Sequence, residues 1–314
     1  MLARIARDDV SMEVREAAIG RLTDQRALAF VAKNEKEHRL RGQAMSRLTD
    51  QRLLVDLAEH APDEDVRCKA VAALTDQATL LRIATDGKAG APRATAVGRL
   101  TDQKWLASFA RNAEDSETRR AAVAHLEDQS LLAEIAKKEV DGAVRAVAVM
   151  RLTDQNLLAQ YAANDPDWRV REQAVRRLRD QSRLAEVAER EKDHLVRCAA
   201  VERLTDQSLL ARYALHDEDE LVRRSAVFNL TDQQLLGRIA LEDQDPGVTS
   251  SAVSRLEDQR LLATIACSRA SGELRAMAID RLTDRSLLAD LTGDHFWLVR
   301  VTAAKRFRAL TGDG

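Results

Sequence analysis

The sequence predicts an all-α chain, an α/α solenoid (a superhelix of stacked helix pairs) of about twelve pairs, and three observations carry that prediction. A tetrapeptide of the form Leu-Thr-Asp-Gln returns every 26 residues, without insertion or deletion, in eleven copies. Its aspartates are Asp24, Asp50, Asp76, Asp102, Asp128, Asp154, Asp180, Asp206, Asp232, Asp258 and Asp284. A fixed period of this size marks a solenoid. Between copies, apolar residues recur three and four apart, the spacing of a helix face. Glycine and proline are scarce, 12 and 4 in 314 residues, which leaves little room for turns or linkers.

One repeat, residues 154–178, shows the elements in order. A first helix opens at Asp154 and carries Leu157, Leu158, Ala159, Tyr161 and Ala162 on its apolar face. Asn164-Asp165-Pro166 ends it, and a second helix opens at Asp167 with Val170, Ala174, Val175 and Leu178 on one stripe. Aspartate accepts from the free N–H groups of a first turn and suits the positive end of the helix dipole. For the first helix, the threonine or the aspartate of the tetrapeptide can serve as the cap. The cap of the second helix recurs as Asp63, Asp115, Asp141, Asp167, Asp193, Asp219 and Asp245, with Ser11 and Ser271 as equivalents.

Other columns repeat with it. The fourth residue after each tetrapeptide aspartate is leucine, from Leu28 to Leu288, and the second helix carries an alanine column from Ala18 to Ala303. Unbroken alanine implies close approach of neighbouring backbones. Helices of roughly 8–11 residues are marginal alone and need their neighbours. The reading is therefore a single array over residues 1–314, about 100 Å along its curve at roughly 8–10 Å per pair. Residues 1–22 form a first repeat lacking its tetrapeptide, as either a frayed cap or the cut edge of a longer array. Residues 285–314 form an atypical capping repeat, one residue short near Asp294, with Trp297 and Phe307 expected to cover its open end.

A second near-invariant column of the second helix is arginine, including Arg67, Arg93, Arg119, Arg145, Arg171 and Arg197, broken at Thr249. On a helical wheel it falls inside the apolar arc, where an unpaired charge is prohibitive. The partners expected from regularity are the tetrapeptide aspartates, Asp76, Asp102, Asp128, Asp154, Asp180 and Asp206, in a ladder that fixes register. An arginine groove for phosphates is the rival reading.

The patterns Asp-Gln-x-Leu-Leu and Asp-x-x-Val-Arg-x-x-Ala-Val resemble HEAT-like repeats, especially the short bacterial type of phycobilisome-lyase-like proteins. They are also similar to leucine-rich-variant repeats. The resemblance spans essentially the whole chain and implies stacked helix pairs, second helices lining the concave face, and structural roles for the arginine and aspartate columns. Helices shorter than in typical HEAT repeats are the departure.

Composition excludes several functions. Charged residues are 32% of the chain but the net charge is −2, so opposite charges are interspersed and the overall basicity of a nucleic-acid binder is missing. There is no apolar leader and no run approaching about 18 apolar residues, so no membrane partner is expected and the reading is cytoplasmic. Cys68, Cys198 and Cys267 have no paired spacing and read as reduced fillers. His60 and His216 share a repeat position about 50 Å apart, too far to share a metal. No metal, phosphate-loop or nucleophile motif occurs, so neither a cofactor nor enzymatic activity is expected.

Where the repeats differ, function has room. On the second helices an outward strip varies from repeat to repeat, including Arg169, Glu172, Arg176 and Glu202. Its middle is more apolar, with Val147, Met150, Leu195, Leu221 and Phe228, and Trp168 at its edge. Apolar clusters with aromatic anchors favour partner binding. The expected function is a non-catalytic scaffold engaging a protein or peptide through this strip. Two alternatives stand beside it. A flanking ridge (Arg21, Arg47, Arg99, Arg151, Arg177, Arg203, Arg255, Arg281, Arg306) suits nucleic acid or an acidic ligand. Near-identical repeats also suit a structural spacer or self-assembling array.

Overall fold

In the computed structural model, which describes all residues but Lys88, Asp313 and Gly314, the described residues form twenty-four helices and no strand. The chain divides into two compact units, residues 1–153 and 154–314. The first holds α1 (Leu2–Asp8), α2 (Met12–Arg21), α3 (Gln25–Asn34), α4 (His38–Ser46), α5 (Gln51–His60) and α6 (Glu64–Ala73). It continues with α7 (Gln77–Asp86), α8 (Ala91–Val97), α9 (Gln103–Asn112), α10 (Ser116–Val123), α11 (Gln129–Lys138) and α12 (Gly142–Arg151). The second holds α13 (Gln155–Asn164), α14 (Trp168–Arg177), α15 (Gln181–Arg190), α16 (His194–Val201), α17 (Gln207–His216) and α18 (Glu220–Asn229). It ends with α19 (Gln233–Glu242), α20 (Pro246–Arg255), α21 (Gln259–Ala266), α22 (Gly272–Arg281), α23 (Arg285–Leu291) and α24 (Trp297–Thr311). Odd numbers are first helices and even numbers second helices, the α/α solenoid of HEAT-like pairs that the period predicts.

Local chemistry sets the boundaries. In every first helix after α1 the cap is the tetrapeptide aspartate. Asp154 Oδ1, for example, accepts from the N–H groups of Asn156 at 2.8 Å and Leu157 at 3.2 Å. Such a cap stabilises a helix by about 1 kcal/mol. The second-helix caps fall where the sequence puts them: Asp167 accepts from Arg169 N–H and Ser271 from Leu274 N–H. α8 departs from the pattern. It starts after Gly90, whose φ of 132° favours glycine, and has Pro92 in its first turn.

The tetrapeptide itself is a clip between repeats. Gln181 Oε1 accepts from Thr205 N–H at 2.9 Å and Thr205 Oγ1 at 3.1 Å, while its Nε2 donates to Arg203 O at 3.0 Å. The same pattern joins Gln51 to Thr75 and Gln207 to Thr231. Leucine anchors, threonine donates, aspartate caps and glutamine reaches the next copy.

The core is built from the predicted columns. Leucines from Leu28 to Leu288 are at most 1% exposed, and the alanine column from Ala44 to Ala303 is 0% exposed. Without larger side chains between them, consecutive second helices pack directly, as α14 on α16 and α16 on α18 do, while consecutive first helices touch less. Tyr213 fills a buried core position and Tyr161 is half-buried. The end-cover expectation is corrected for Trp297, which is 61% exposed because it opens α24 on the outward side; Phe307 is half-buried.

Candidate interaction surface

The arginine column lies in the apolar arc, as the wheel predicts, but its partners differ from the expected ones. Asp76, Asp102, Asp128, Asp154, Asp180 and Asp206 are engaged as exposed helix caps and make no ladder with Arg67, Arg93, Arg119, Arg145, Arg171 or Arg197. Cap geometry aims each carboxylate at N–H groups of its own first turn, away from the second helix. The acid that meets the arginine sits instead in the turn that ends the next repeat's first helix. Arg171 pairs bidentately with Glu191 at 2.7 and 3.0 Å, and its Nη1 donates to the carbonyls of Asp165 and Pro166. Arg119 does the same with Glu139, Arg197 with Asp217 and Arg223 with Asp243. Arg145 holds the carbonyls of Glu139 and Val140. In the shortened last repeat Asp294 takes the place and meets Arg275.

Electrostatics follow from this geometry. Burial alone raises the Glu191 carboxyl, but the Arg171 guanidinium and the N–H groups of Asp193 and Lys192 outweigh it and hold the group below its ordinary value. Glu139 is lowered in the same balance, burial against Arg119. At Thr249, where the arginine is lost, the acid position is Arg269, so the arginine and its acid are lost together. The signal for the true ladder was present in the sequence: an acid twenty residues after the arginine at Glu35, Glu139, Glu191, Asp217 and Asp243.

The flanking arginine ridge is also engaged. Arg99 donates to Leu74 O at 3.1 Å, Arg151 to Leu126 O at 3.0 Å and Arg203 to Leu178 O at 2.7 Å, each reaching the tetrapeptide leucine of the preceding repeat. Arg47, Arg281 and Arg306 do likewise. Arg255 instead lies 5.8 Å over the Phe228 ring.

The variable strip is where the predicted binding residues fall. In the first unit α12 presents Met150, 40% exposed, with Val147 half-buried beside it. In the second unit the strip crosses α14, α16 and α18. Trp168 is 38% and Phe228 67% exposed, while Leu195 and Leu221 are half-buried and share one repeat position on adjacent helices. The charged members are engaged in ion pairs. Arg169 binds Asp167 at 2.7 Å, and Arg176 binds Glu172 at 2.9 Å and approaches Glu202 at 3.8 Å. Trp168 and Phe228 are not brought into one cluster. They sit at opposite ends of helices two steps apart, an offset of about 12 Å along the axes and about 20 Å across them.

Among the described residues no group of three or more histidine, cysteine or carboxylate side chains is placed to hold a metal ion, and no helix is long and apolar enough to cross a membrane. Cys198 is buried, which pushes its thiol up to about 11, while Cys267 is exposed.

No protein-family profile and no curated protein matches the sequence. Among solved structures the chain is similar to one described as a leucine-rich repeat variant with a novel repetitive structural motif. Identity is 24%, the TM-score is 0.56, and the match covers 68% of this chain and 86% of that one. It is also similar to an engineered protein, at 15% identity and a TM-score of 0.36 over 100% of this chain and 99% of that one. Importin beta is a third, at 14% identity and a TM-score of 0.39 over 99% of this chain and 56% of that one. The protein is a tandem-repeat α-solenoid, similar to leucine-rich-variant and HEAT-like repeats; the likeness reaches the fold and stops there.

Proposed function

We propose that this protein is a non-catalytic scaffold that engages a protein or peptide along the outward strip of α14, α16 and α18. One observation carries the reading. Most of the residues that repeat along the array are engaged in caps, clips, core and ladder, and on the second helices the strip that varies exposes Trp168 and Phe228. Aromatic side chains bury large areas at low entropic cost, which makes them effective anchors. Their separation suits an extended segment laid across the second helices, touching Trp168 at one end, the Leu195–Leu221 pair between, and Phe228 at the other. Guanidiniums of the flanking ridge already donate to backbone carbonyls, which weakens the case for a phosphate backbone as ligand.

The test is affinity capture from a lysate with nuclease, using the wild-type chain and the double variant Trp168→Ala, Phe228→Ala. The expected result is a stoichiometric, nuclease-resistant protein that the variant fails to retain, with an unchanged urea midpoint. Equal retention by both chains sinks the assignment of the strip. A ligand lost on nuclease treatment, with affinity falling steeply in salt, returns the ridge to first place.

A further inference from the structure

The ladder is interrupted once without compensation, in the first unit. For Arg41 the position twenty residues on is Ala61, and Asp63 takes over at 2.9 Å. For Arg93 it is Ala113, and Asp115 approaches at 3.9 Å. For Arg67 both positions are empty of acid: they are Gly87 and Ala89. Arg67 Nη1 keeps its bonds to the carbonyls of Ala61 at 2.7 Å and Pro62 at 3.0 Å, but among the described residues the guanidinium has no carboxylate partner. It is half-buried and faces a cavity of about 630 Å³ between α5, α6, α7 and α8, which Arg93 also lines. The comparable cavities at Arg15, Arg171 and Arg223 each contain the acid in place, Glu35, Glu191 and Asp243. Thr249 with Arg269 shows the opposite change, in which arginine and acid are lost together.

We infer that this cavity is a carboxylate-binding site, in which the carboxylate of a ligand takes the place that Glu191 or Glu139 holds in other repeats. The recognition chemistry is a bidentate guanidinium fork on Arg67, reinforced by the positive charge of Arg93. Ala58, Ile83 and Pro92 supply an apolar wall for the carbon that bears the acid. Arg82 is held by Glu59 at 2.5 Å, and the exposed carboxylates Glu64 and Asp86 stand at the rim. That rim favours a single negative charge over a phosphate dianion. The ligand class is a peptide carboxylate, from a side chain or from a chain terminus. This site belongs to the first unit and does not depend on the strip of the second.

The experiment follows arginine side-chain Nε–Hε resonances of the full chain by NMR during titration with propionate, propionamide and inorganic phosphate. Two further probes, N-acetylalanine and N-acetylglutamate α-amide, distinguish a terminal from a side-chain carboxylate. Propionate and at least one of those two are expected to move the Arg67 resonance saturably, leaving Arg119 in place and propionamide without effect. Arg67→Gln also loses two carbonyl contacts, so the decisive variant is Ala89→Asp, which restores the acid that Asp63 gives Arg41. It is expected to weaken propionate binding by at least about tenfold. A silent Arg67 resonance, tighter binding of phosphate than of propionate, or full affinity in Ala89→Asp overturns the assignment.

Discussion

Arg171 is held by a carboxylate and two carbonyls in a setting where its own side chain is 17% exposed and that of Glu191 only 8%. Removing one partner leaves the other buried and uncompensated. Arg171→Leu is expected to cost about 2–4 kcal/mol in urea unfolding, somewhat below a fully buried pair because solvent still reaches the guanidinium. The sign of the pH effect follows from the lowered carboxyl. A group whose native pKa is depressed contributes stability that is complete above its unfolded value and lost as pH falls through the native one. The stability gap between wild type and Glu191→Gln should hold steady at neutral pH and shrink below the ordinary glutamate value of 4.5. Thiol chemistry is a separate check. With its pKa near 11 and its side chain buried, Cys198 should resist a thiol reagent at neutral pH until urea unfolds the chain, while exposed Cys267 reacts first. Rapid labelling of Cys198 in Cys267→Ser would mean that α16 opens locally.

At the scale of elements, most of the architecture was legible because its causes are local. Helix starts were readable from aspartate and serine caps, and the core from leucine and alanine columns at fixed offsets. The clip made by glutamine was not, since a polar side chain that reaches the next repeat leaves no periodicity distinct from that of its neighbours. The ladder was half legible. Arginine shows its burial by its place in the apolar arc, and an acid twenty residues on is there to read; what the sequence hides is the cap geometry that ties up the more regular tetrapeptide aspartate and leaves that acid as the partner. Two mutations test the packing terms. Ala174→Leu forces α14 away from its neighbours and is expected to cost about 1–3 kcal/mol by overpacking. Gln181→Ala removes three inter-repeat hydrogen bonds at an exposed edge and is expected to cost about 1–2 kcal/mol. A neutral Ala174→Leu in calorimetry would show that the second helices have slack.

For the whole molecule, repetition and variation divide the labour. Residues fixed in every repeat make the stack, and those free to differ make the surface. The strip was legible in outline as the variable columns. Its grouping was not: Trp168 and Phe228 lie at opposite ends of their helices, because their positions within the repeat differ by eight residues. Two separated anchors imply that loss of either should weaken a partner partially and loss of both severely, a pattern that single and double variants resolve in a titration. The most direct measurement is amide hydrogen exchange of the full chain with and without the captured partner. The account predicts new protection in residues 168–177, 194–201 and 220–229, with the first helices α13, α15 and α17 unchanged. Protection confined to those first helices, with the three second helices unaffected, would contradict it.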